Sequence, residues 1–323
     1  MANLKEIRIR IASVKSTRKI TSAMSRIAAA RLRRAQNAMA AAREYGTRMA
    51  SIVGEVLAEL DDPGAAHPLL AGAGTRTGTI VGEVMDDLGQ DGSDAILMVI
   101  VTAERGLCGG FNSGVNRAAE REIKALRAAG RKVEIVTVGR KGRDYLGTYG
   151  AQSTEHHAAP TKPNEVVEIA RDVAAELMAL FQAEPSDDRP TISEVRVVYN
   201  LFQNVITQEV RSERILPVPF PEGTNEDEAD TESRAATAVR SFEPDSGALL
   251  DHLLPVAVET AVQQVLYNSV VSEVAARRMA MDSATDNASE LIKELTLLYN
   301  RERQAAITKE LMEIIGGAEA LRG

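Results

Sequence analysis

Apolar side chains near the N-terminus recur with the alternating four- and three-residue spacing of a coiled-coil helix. From Ala2 to Tyr45 the sequence contains no Gly or Pro and is dominated by strong helix formers such as Ala, Arg, Lys and Met. The first apolar positions with this spacing are Ile7, Ile11 and Val14, and a second set, shifted in phase, comprises Ile20, Met24 and Ile27. The pattern predicts a long helix whose apolar seam does not keep a single partner throughout.

The C-terminal part of the chain has a similar pattern. Val256–Ile315 contains no Gly or Pro, and we expect Pro255 in the first helical turn and Gly316-Gly317 at the end of the helix. Such a helix reaches about 90 Å, more than the diameter of a compact domain, so it needs a partner. The coiled-coil spacing recurs at Val258, Val262 and Val265 and again at Leu291, Leu295 and Leu298. We therefore predict an antiparallel coiled coil of the two terminal helices.

The middle of the chain has the pattern of a layered α/β domain. Ala95–Thr102 is an almost continuous apolar run, as in buried parallel strands, and a Gly-rich loop follows it. Beyond the loop, helical and strand patterns follow at Ser113–Ala129, Arg131–Gly139, Pro163–Ala183, Ile192–Tyr199 and Val205–Arg214. The predicted fold class is therefore α/β with a Rossmann-like central domain, plus a long antiparallel coiled coil.

These patterns predict four regions. Residues 1–60 and 248–323 form the coiled-coil shaft, and residues 94–220 form the α/β foot domain. Residues 61–93 are an inserted segment rich in Gly, Thr and Asp. Residues 221–247 form an acidic loop, because Pro221–Ser246 holds eight acids, two Arg and almost no large apolar residue.

Charge is distributed unevenly along the chain. The net charge is −8, yet residues 1–48 contain twelve Lys or Arg and only two acids. A basic arm on an acidic body indicates an anionic partner, which is nucleic acid, lipid headgroups or an acidic protein surface, unless the arm is an ordinary solvated helix face. Aromatic residues make up 3% and Trp is absent, which argues against a base-stacking platform. No apolar run is long enough for a membrane span and no secretory signal is evident, so we expect an intracellular protein.

Candidate catalytic groups are sparse. Gly106–Asn112 lies between a buried strand and a helix, where dinucleotide folds bind phosphate, but its spacing matches neither GxGxxG nor a P-loop. Cys108 has no His nearby in sequence, so a small buried residue is the favoured interpretation over a nucleophile. His156-His157 is more typical of a surface pair than of metal ligands. We expect no catalytic residue, no cofactor and no metal site.

Five stretches of the sequence resemble the gamma subunits of F-type ATP synthases. Ile307–Ala320 fits the C-terminal signature of that family, with its Ile-Thr-x-Glu core, a later acid and Gly-Ala. The other similar stretches are Ile11–Met24, Arg105–Asn112, Ala284–Leu291 and Asn300–Gln304. They occur in order along the whole chain.

The resemblance implies a rotor stalk that couples without catalysing. In this family the terminal helices form an antiparallel coiled coil inside a ring of alternating alpha and beta subunits. The α/β domain stands as a foot on the membrane-embedded c-subunit ring, beside the epsilon subunit. Proton-driven rotation of that ring turns the shaft and drives ATP synthesis in the beta subunits. The implied location is the cytoplasmic face of a bacterial plasma membrane, as a peripheral protein.

The resemblance also implies roles for particular residues. Arg303 and Gln304 match positions that contact a beta-subunit loop, and Met24 and Arg277 match positions linked to coupling. Gln304, Thr308 and Glu310 match positions that stabilise helix packing. The family motif in the foot domain corresponds to Arg105, Gly106, Cys108, Gly109, Gly110 and Asn112. Without the family resemblance, Met24 would be interpreted as an ordinary packing residue of the coiled coil. Arg277 would be interpreted as a solvated charge on the helix surface.

Two other function classes stay open at this point. One is a basic coiled-coil adaptor for nucleic acid, which predicts salt-sensitive binding to duplex DNA. The other is an enzyme for a phosphate-bearing ligand that uses Gly106–Gly110, which requires nucleotide binding by the isolated chain. The rotor interpretation implies no nucleic-acid partner.

Overall fold

The computed structural model describes residues 4–57, 60, 67–70, 95–148, 153–184, 190–219 and 246–320. They fall into two compact units. The helical-pair unit comprises described residues of 1–30 and 277–323, and the α/β unit comprises described residues of 31–276. The predicted acidic loop lies outside the described residues up to 245, and so does most of the predicted insert at 61–93.

Two long helices begin and end the described chain. Helix α1 spans Leu4–Leu57 and helix α5 spans Ser246–Ala320. The 75 residues of α5 correspond to a length of about 110 Å. The predicted bounds of α5 were wrong, because Pro255 lies inside the helix and Gly316-Gly317 does not end it. Leu250 and Leu254 are fully buried, and this packing holds the turns before Pro255 in the helix despite the hydrogen bond that Pro removes.

The α/β unit contains one five-stranded sheet in the order β3-β2-β1-β4-β5. Its strands are β1 (Ala95–Val101), β2 (Lys132–Val138), β3 (Glu155–His157), β4 (Ile192–Phe202) and β5 (Gln208–Leu216). Strand β1 pairs in parallel with β2 and β4, β2 pairs in parallel with β3, and only β5 is antiparallel. The α/β prediction is confirmed; the edge strand β3 was missed because three residues carry no periodic signal.

Three shorter helices connect the strands: α2 (Phe111–Ala128), α3 (Arg140–Thr148) and α4 (Val166–Gln182). Two 3-10 turns lie at Pro68–Leu70 and Pro163–Glu165. Because β1 is buried on both faces, all seven of its side chains are apolar and sequestered from solvent. One face packs on α2 through Ile96, Met98, Ile100, Val115 and Ile123. On the other face, Val99, Val173, Val197, Val262 and Leu266 line one small cavity.

The first half of α5 is fixed to the sheet by polar contacts as well as by packing. Ser272 Oγ donates to the carbonyl oxygen of Asn200 at 3.2 Å, and Asn268 accepts a hydrogen bond from the backbone N–H of Phe202 at 3.4 Å. Helix α1 approaches α5 closely here, because a Cβ at Gly46 would lie 1.5 Å from the side-chain nitrogen of Gln264. Small residues therefore let the two helices come together in this unit.

Candidate functional site

The packed side of α1 in the helical-pair unit follows one coiled-coil pattern, which is interrupted at Arg18, an exposed residue between Val14 and Thr21. Ile7 is buried, Ile11 and Val14 are half-buried, and the same spacing continues through buried Thr21, Ser25 and Ala28. The second, phase-shifted set does not belong to this packed side, because Ile20 is 58% and Ile27 55% exposed. The predicted spacing rests on large apolar side chains, whereas the buried side of the helix changes to small and polar ones.

The facing side of α5 shows the same change. Met281, Ala288 and Leu295 are buried, and Thr285, Ile292 and Tyr299 between them are half-buried. Of the predicted trio only Leu295 is buried, since Leu291 and Leu298 are about 40% exposed. The other predicted set, Val258, Val262 and Val265, is confirmed as buried and belongs to the α/β unit.

Hydrogen bonds join α1 to α5 along the helical-pair unit. Arg8 Nη2 donates to the Tyr299 hydroxyl at 2.6 Å, Thr21 and Thr285 share a bond of 2.7 Å, and Ser25 Oγ donates to Asp282 Oδ1 at 2.5 Å. Along these bonds the residue number in α1 rises from 8 to 21 to 25, while the residue number in α5 falls from 299 to 285 to 282. The helices are therefore antiparallel, as predicted, and keep one register over this distance.

Met24 and Arg277, the predicted coupling residues, directly precede Ser25, which is buried, and Arg278, which occupies the corresponding position of α5 and is half-buried. In an antiparallel coiled coil, the positions that precede these core positions lie along one common edge. Both side chains are half-buried. The structure thus places the two predicted coupling residues beside the packed seam and on the same edge of it.

The last turns of α5 expose both polar and apolar side chains. Arg303, Gln304, Thr308 and Glu310 are all exposed. Because α1 begins at Leu4 and Arg8 bonds Tyr299, the register brings Thr308 and Glu310 beyond the described start of α1. Apolar residues here are 50–69% exposed, at Ile307, Leu311, Met312, Ile314 and Ile315. Their spacing puts most of them on one side of the helix, which is typical of a surface that another protein covers.

The Gly-rich loop lies at the carboxyl end of β1, and its own side chains pack inside it. Asn112 accepts from the backbone N–H of Ala103 at 2.9 Å and contacts Cys108 Sγ at 3.2 Å through its amide nitrogen. Cys108 is 1% exposed and packs with Ala103, Phe111 and Ala276. Leu107 and Gly109 adopt positive φ angles of 66° and 56°. The loop is thus a tight strand-to-helix turn, and its buried thiol is not presented to a substrate.

The two histidines singled out by the sequence lie on the edge strand β3. His156 Nδ1 and Thr137 Oγ1 are 3.0 Å apart, and His157 bonds Glu176. Across the described ranges, no group of three or more His, Cys, Asp or Glu side chains is arranged to hold a metal ion. Among the same residues, none of the helices is long and apolar enough to cross a membrane.

A cavity of about 360 Å³ lies in the α/β unit between α1, α5 and the β4–β5 pair. Tyr199 lines it and donates to Glu213 Oε2 at 2.8 Å. Burial raises the pKa of Tyr199 strongly, and the Glu213 carboxylate adds to the effect. The tyrosine is therefore a neutral hydrogen-bond donor rather than an acid or base at neutral pH.

Comparison with known proteins decides the family. The family model described as ATP synthase matches residues 3–321. The ATP synthase gamma chain of Sorangium cellulosum is 41% identical over 332 residues, and that of a Geobacter species is 42% identical over 323 residues. Both alignments cover 100% of this chain and 100% of the relative. This chain belongs to the ATP synthase gamma chain family.

Solved structures extend the likeness of this gamma chain family member to the fold. A chain from the Euglena gracilis mitochondrial ATP synthase, in a structure titled OSCP/F1/c-ring, rotational state 3, superposes with a TM-score of 0.62 at 18% identity. The match covers 98% of this chain and 94% of that one. A second Euglena gracilis structure, titled as the rotor, matches with a TM-score of 0.57 at 16% identity.

Sequence reasoning missed the polar contacts in the helix pair of this gamma chain. Thr21, Ser25 and Thr285 carried a usable signal, because they continue the four- and three-residue spacing of their neighbours, and Asp282 directly follows the buried Met281. A search restricted to large apolar side chains passes over them. The sequence also singled out the loop motif around Cys108 and residues near the C-terminus, whose roles stay predictions.

Proposed function

We propose that this chain is the central rotor stalk of an F-type ATP synthase. The observation that carries the proposal is full-length similarity to gamma chains, in a molecule whose two terminal helices form an antiparallel coiled coil. In this role the chain couples proton-driven rotation of the membrane ring to ATP synthesis. It contains no reacting group itself, and the beta subunits carry out the catalysis.

The exposed surface of the helical-pair unit favours the proposal that a ring of subunits surrounds it. The exposed apolar residues near the end of α5 are the kind of surface that a protein partner covers. The Lys and Arg side chains of α1 up to Arg34 are all exposed. In the proposal, alpha and beta subunits surround this unit, and their acidic faces meet the basic helix through Arg contacts.

Residue roles follow the family resemblance and the exposure of each side chain. Arg303 and Gln304 are exposed and free to reach a beta-subunit loop in the proposed complex. Met24 and Arg277 lie along one edge of the seam, where a beta-subunit lever would press on both helices. The packing role of Gln304, Thr308 and Glu310 is part of the same proposal and involves the first residues of the chain.

The α/β foot domain would contact the remaining partners, the c-subunit ring and the epsilon subunit. In the proposal, the α/β unit rests on the c-subunit ring and contacts the epsilon subunit, with the loop motif Arg105, Gly106, Cys108, Gly109, Gly110 and Asn112 shaping its surface. The chain is then a peripheral protein at the cytoplasmic face of the bacterial plasma membrane. It binds no nucleic acid and needs no cofactor.

Co-purification tests this assignment. A tagged copy expressed in the native host should recover alpha and beta subunits as one copy of this chain to three of each. The double variant Arg303→Ala/Gln304→Ala should assemble equally but pump fewer protons per ATP hydrolysed in inverted membrane vesicles. Arg301→Ala, on the same exposed stretch of helix, is the matched control and should leave the ratio unchanged.

The nucleic-acid adaptor makes the opposite prediction. It requires the chain to be recovered without the ring and to bind duplex DNA with an affinity that falls steeply with salt. No relative or solved structure described above supports that class. Recovery with nucleic acid and without alpha and beta subunits would overturn the rotor proposal.

A further inference from the structure

The middle of the helical-pair unit is held by hydroxyl and carboxylate groups where large apolar knobs are expected. Thr21 and Ser25 are each 8% exposed, and their partners across the seam are Thr285 and Asp282. Ala28, Ala288 and the larger Met281 are the neighbouring buried residues. Small side chains of this kind interlock weakly, so packing alone specifies the position of one helix along the other poorly.

Hydrogen bonds supply the missing specificity. The Thr285 hydroxyl lies 2.8 Å from the carbonyl oxygen of Met281, and the Thr21 hydroxyl lies 3.2 Å from that of Arg18. The shorter contact favours Thr285 as the donor within its own helix and Thr21 as the donor across the seam. Ser25 donates to Asp282 Oδ1, while Asp282 Oδ2 lies 3.8 Å from Arg278 Nε. A shift of one heptad would move the helices by about 10 Å and leave Thr21 and Ser25 facing other residues.

We infer that Thr21, Ser25, Asp282 and Thr285 form a register lock that fixes the axial and rotational position of α1 against α5. Buried polar positions are known to select register in coiled coils at the expense of stability. The inference rests on the proposed function in one respect: a shaft transmits rotation faithfully only if its two helices do not slip. These four are positioning residues, since none of them reaches a reacting group.

The test separates register from stability. Thr→Val keeps the shape of the side chain and removes the hydroxyl, so Thr21→Val/Thr285→Val combined with Ser25→Ala removes both hydrogen bonds with little loss of packing. The full complex should still assemble, and its melting temperature should fall by no more than a few degrees. Losing two ordinary hydrogen bonds should shift the ratio of the two registers by roughly thirtyfold.

Disulfide trapping measures the register directly. Seven residues from the Thr21–Thr285 pair, the same register places Val14 opposite Ile292, so Val14→Cys/Ile292→Cys reports the native position. Val14→Cys/Tyr299→Cys reports a shift of one heptad. In the assembled complex, the original chain should cross-link through the first pair only, and the triple variant through both. Cys108 is 1% exposed and does not compete.

Two matched variants control the experiment. Thr17→Val makes the same chemical change on the same helix, but the Thr17 hydroxyl donates only within α1, to Ser13, at 3.2 Å, so the register should not change. Thr21→Ser/Thr285→Ser keeps both hydroxyls and should retain the single register. Both controls should also keep the original number of protons pumped per ATP, whereas the triple variant should lose a substantial part of it.

The outcomes are distinguishable. If the original chain fails to assemble with alpha and beta subunits, the proposed function is wrong, whatever the cross-links show. If it assembles and couples, but the triple variant still cross-links only through Val14 and Ile292, the register lock is overturned. A shifted register with an unchanged proton-to-ATP ratio would support the register lock but overturn its role in coupling, because slip would then not matter for rotation.

Discussion

The two units of this chain bury different kinds of side chain. In the α/β unit, the seven residues of β1 are all apolar and all buried, and helices cover both faces of the sheet. In the helical-pair unit, the buried seam contains Thr21, Ser25 and Ala28, and large apolar residues such as Ile20 and Ile27 face outward. The first arrangement maximises stability, whereas the second leaves apolar surface for partners and uses polar contacts to select one arrangement.

The largest expected effect lies in the α/β unit. Arg196 is 7% exposed and donates two hydrogen bonds to Glu194, at 2.7 and 3.1 Å, and one to Glu122 at 3.1 Å. Burial alone would lower the pKa of Arg196, but the bonds and charges of the two carboxylates raise it, so the group is charged.

Replacing this arginine tests whether the α/β unit depends on the buried ion pairs of Arg196. Arg196→Met keeps the side-chain volume but leaves the buried Glu194 carboxylate without its cation. It should lower the free energy of unfolding, measured with denaturant, by about 3–5 kcal/mol. Arg140→Met removes a guanidinium that is 54% exposed and 3.9 Å from Asp144, so it should cost less than about 0.5 kcal/mol. Similar costs for the two variants would contradict the account.

Glycine substitutions give the next largest effect in the same unit. Gly139 has a φ of +101°, and an added Cβ would lie 2.2 Å from the carbonyl oxygen of Thr102. Gly139→Ala should therefore cost roughly 2–4 kcal/mol. Gly130→Ala shares the positive φ, at +80°, but meets no neighbour within 4 Å, so it should cost only about 1 kcal/mol. Equal melting temperatures for these variants would show that the strand-to-helix turn after β2 is not tightly packed.

In the helical-pair unit, a smaller effect distinguishes the packed side from the exposed one. Ala28 is 2% exposed, so Ala28→Leu should overpack the seam and destabilise it by about 1–3 kcal/mol. Ile20→Ala removes a side chain that is 58% exposed and should change stability by less than about 0.5 kcal/mol. Thermal unfolding of the full chain measures both. The reverse ranking would restore the phase-shifted seam that the apolar spacing predicted.

The smallest expected effect depends on pH. Glu165 accepts bonds from the backbone N–H groups of Thr161, at 2.8 Å, and Lys162, at 3.2 Å, ahead of α4, and the Thr161 backbone bond is the main reason why its pKa is lowered. A carboxyl with a lowered pKa stabilises the fold above its ordinary pKa and loses that contribution as the pH falls.

Glu165→Gln should therefore cost a few tenths of a kcal/mol at pH 7, because the group is partly exposed and solvent screens it. The difference from the original chain should shrink as the pH falls below the ordinary value of 4.5. Melting curves of both proteins between pH 7 and about 3 check this. A difference that grows on acidification would contradict the capping role.

Much of the architecture was predictable because apolar periodicity is a strong signal over long segments. The two terminal helices and strands β1, β2 and β4 follow from it directly. The interior position of Pro255 was not predictable, because it depends on tertiary packing of Leu250 and Leu254 against the core. The polar seam was missed for a related reason: Thr21 and Ser25 are buried only because hydroxyl partners meet them from the other helix.

The most direct test of the central claim is rotation itself. Ile206 is 78% exposed in the α/β unit and Cys108 is buried, so Ile206→Cys provides a selective attachment point for a bead or fluorophore. With the alpha–beta ring fixed to a surface, the account predicts that ATP turns the label in one direction, with three equal steps per revolution. A label that stays still while the ring hydrolyses ATP at its normal rate would contradict the rotor assignment.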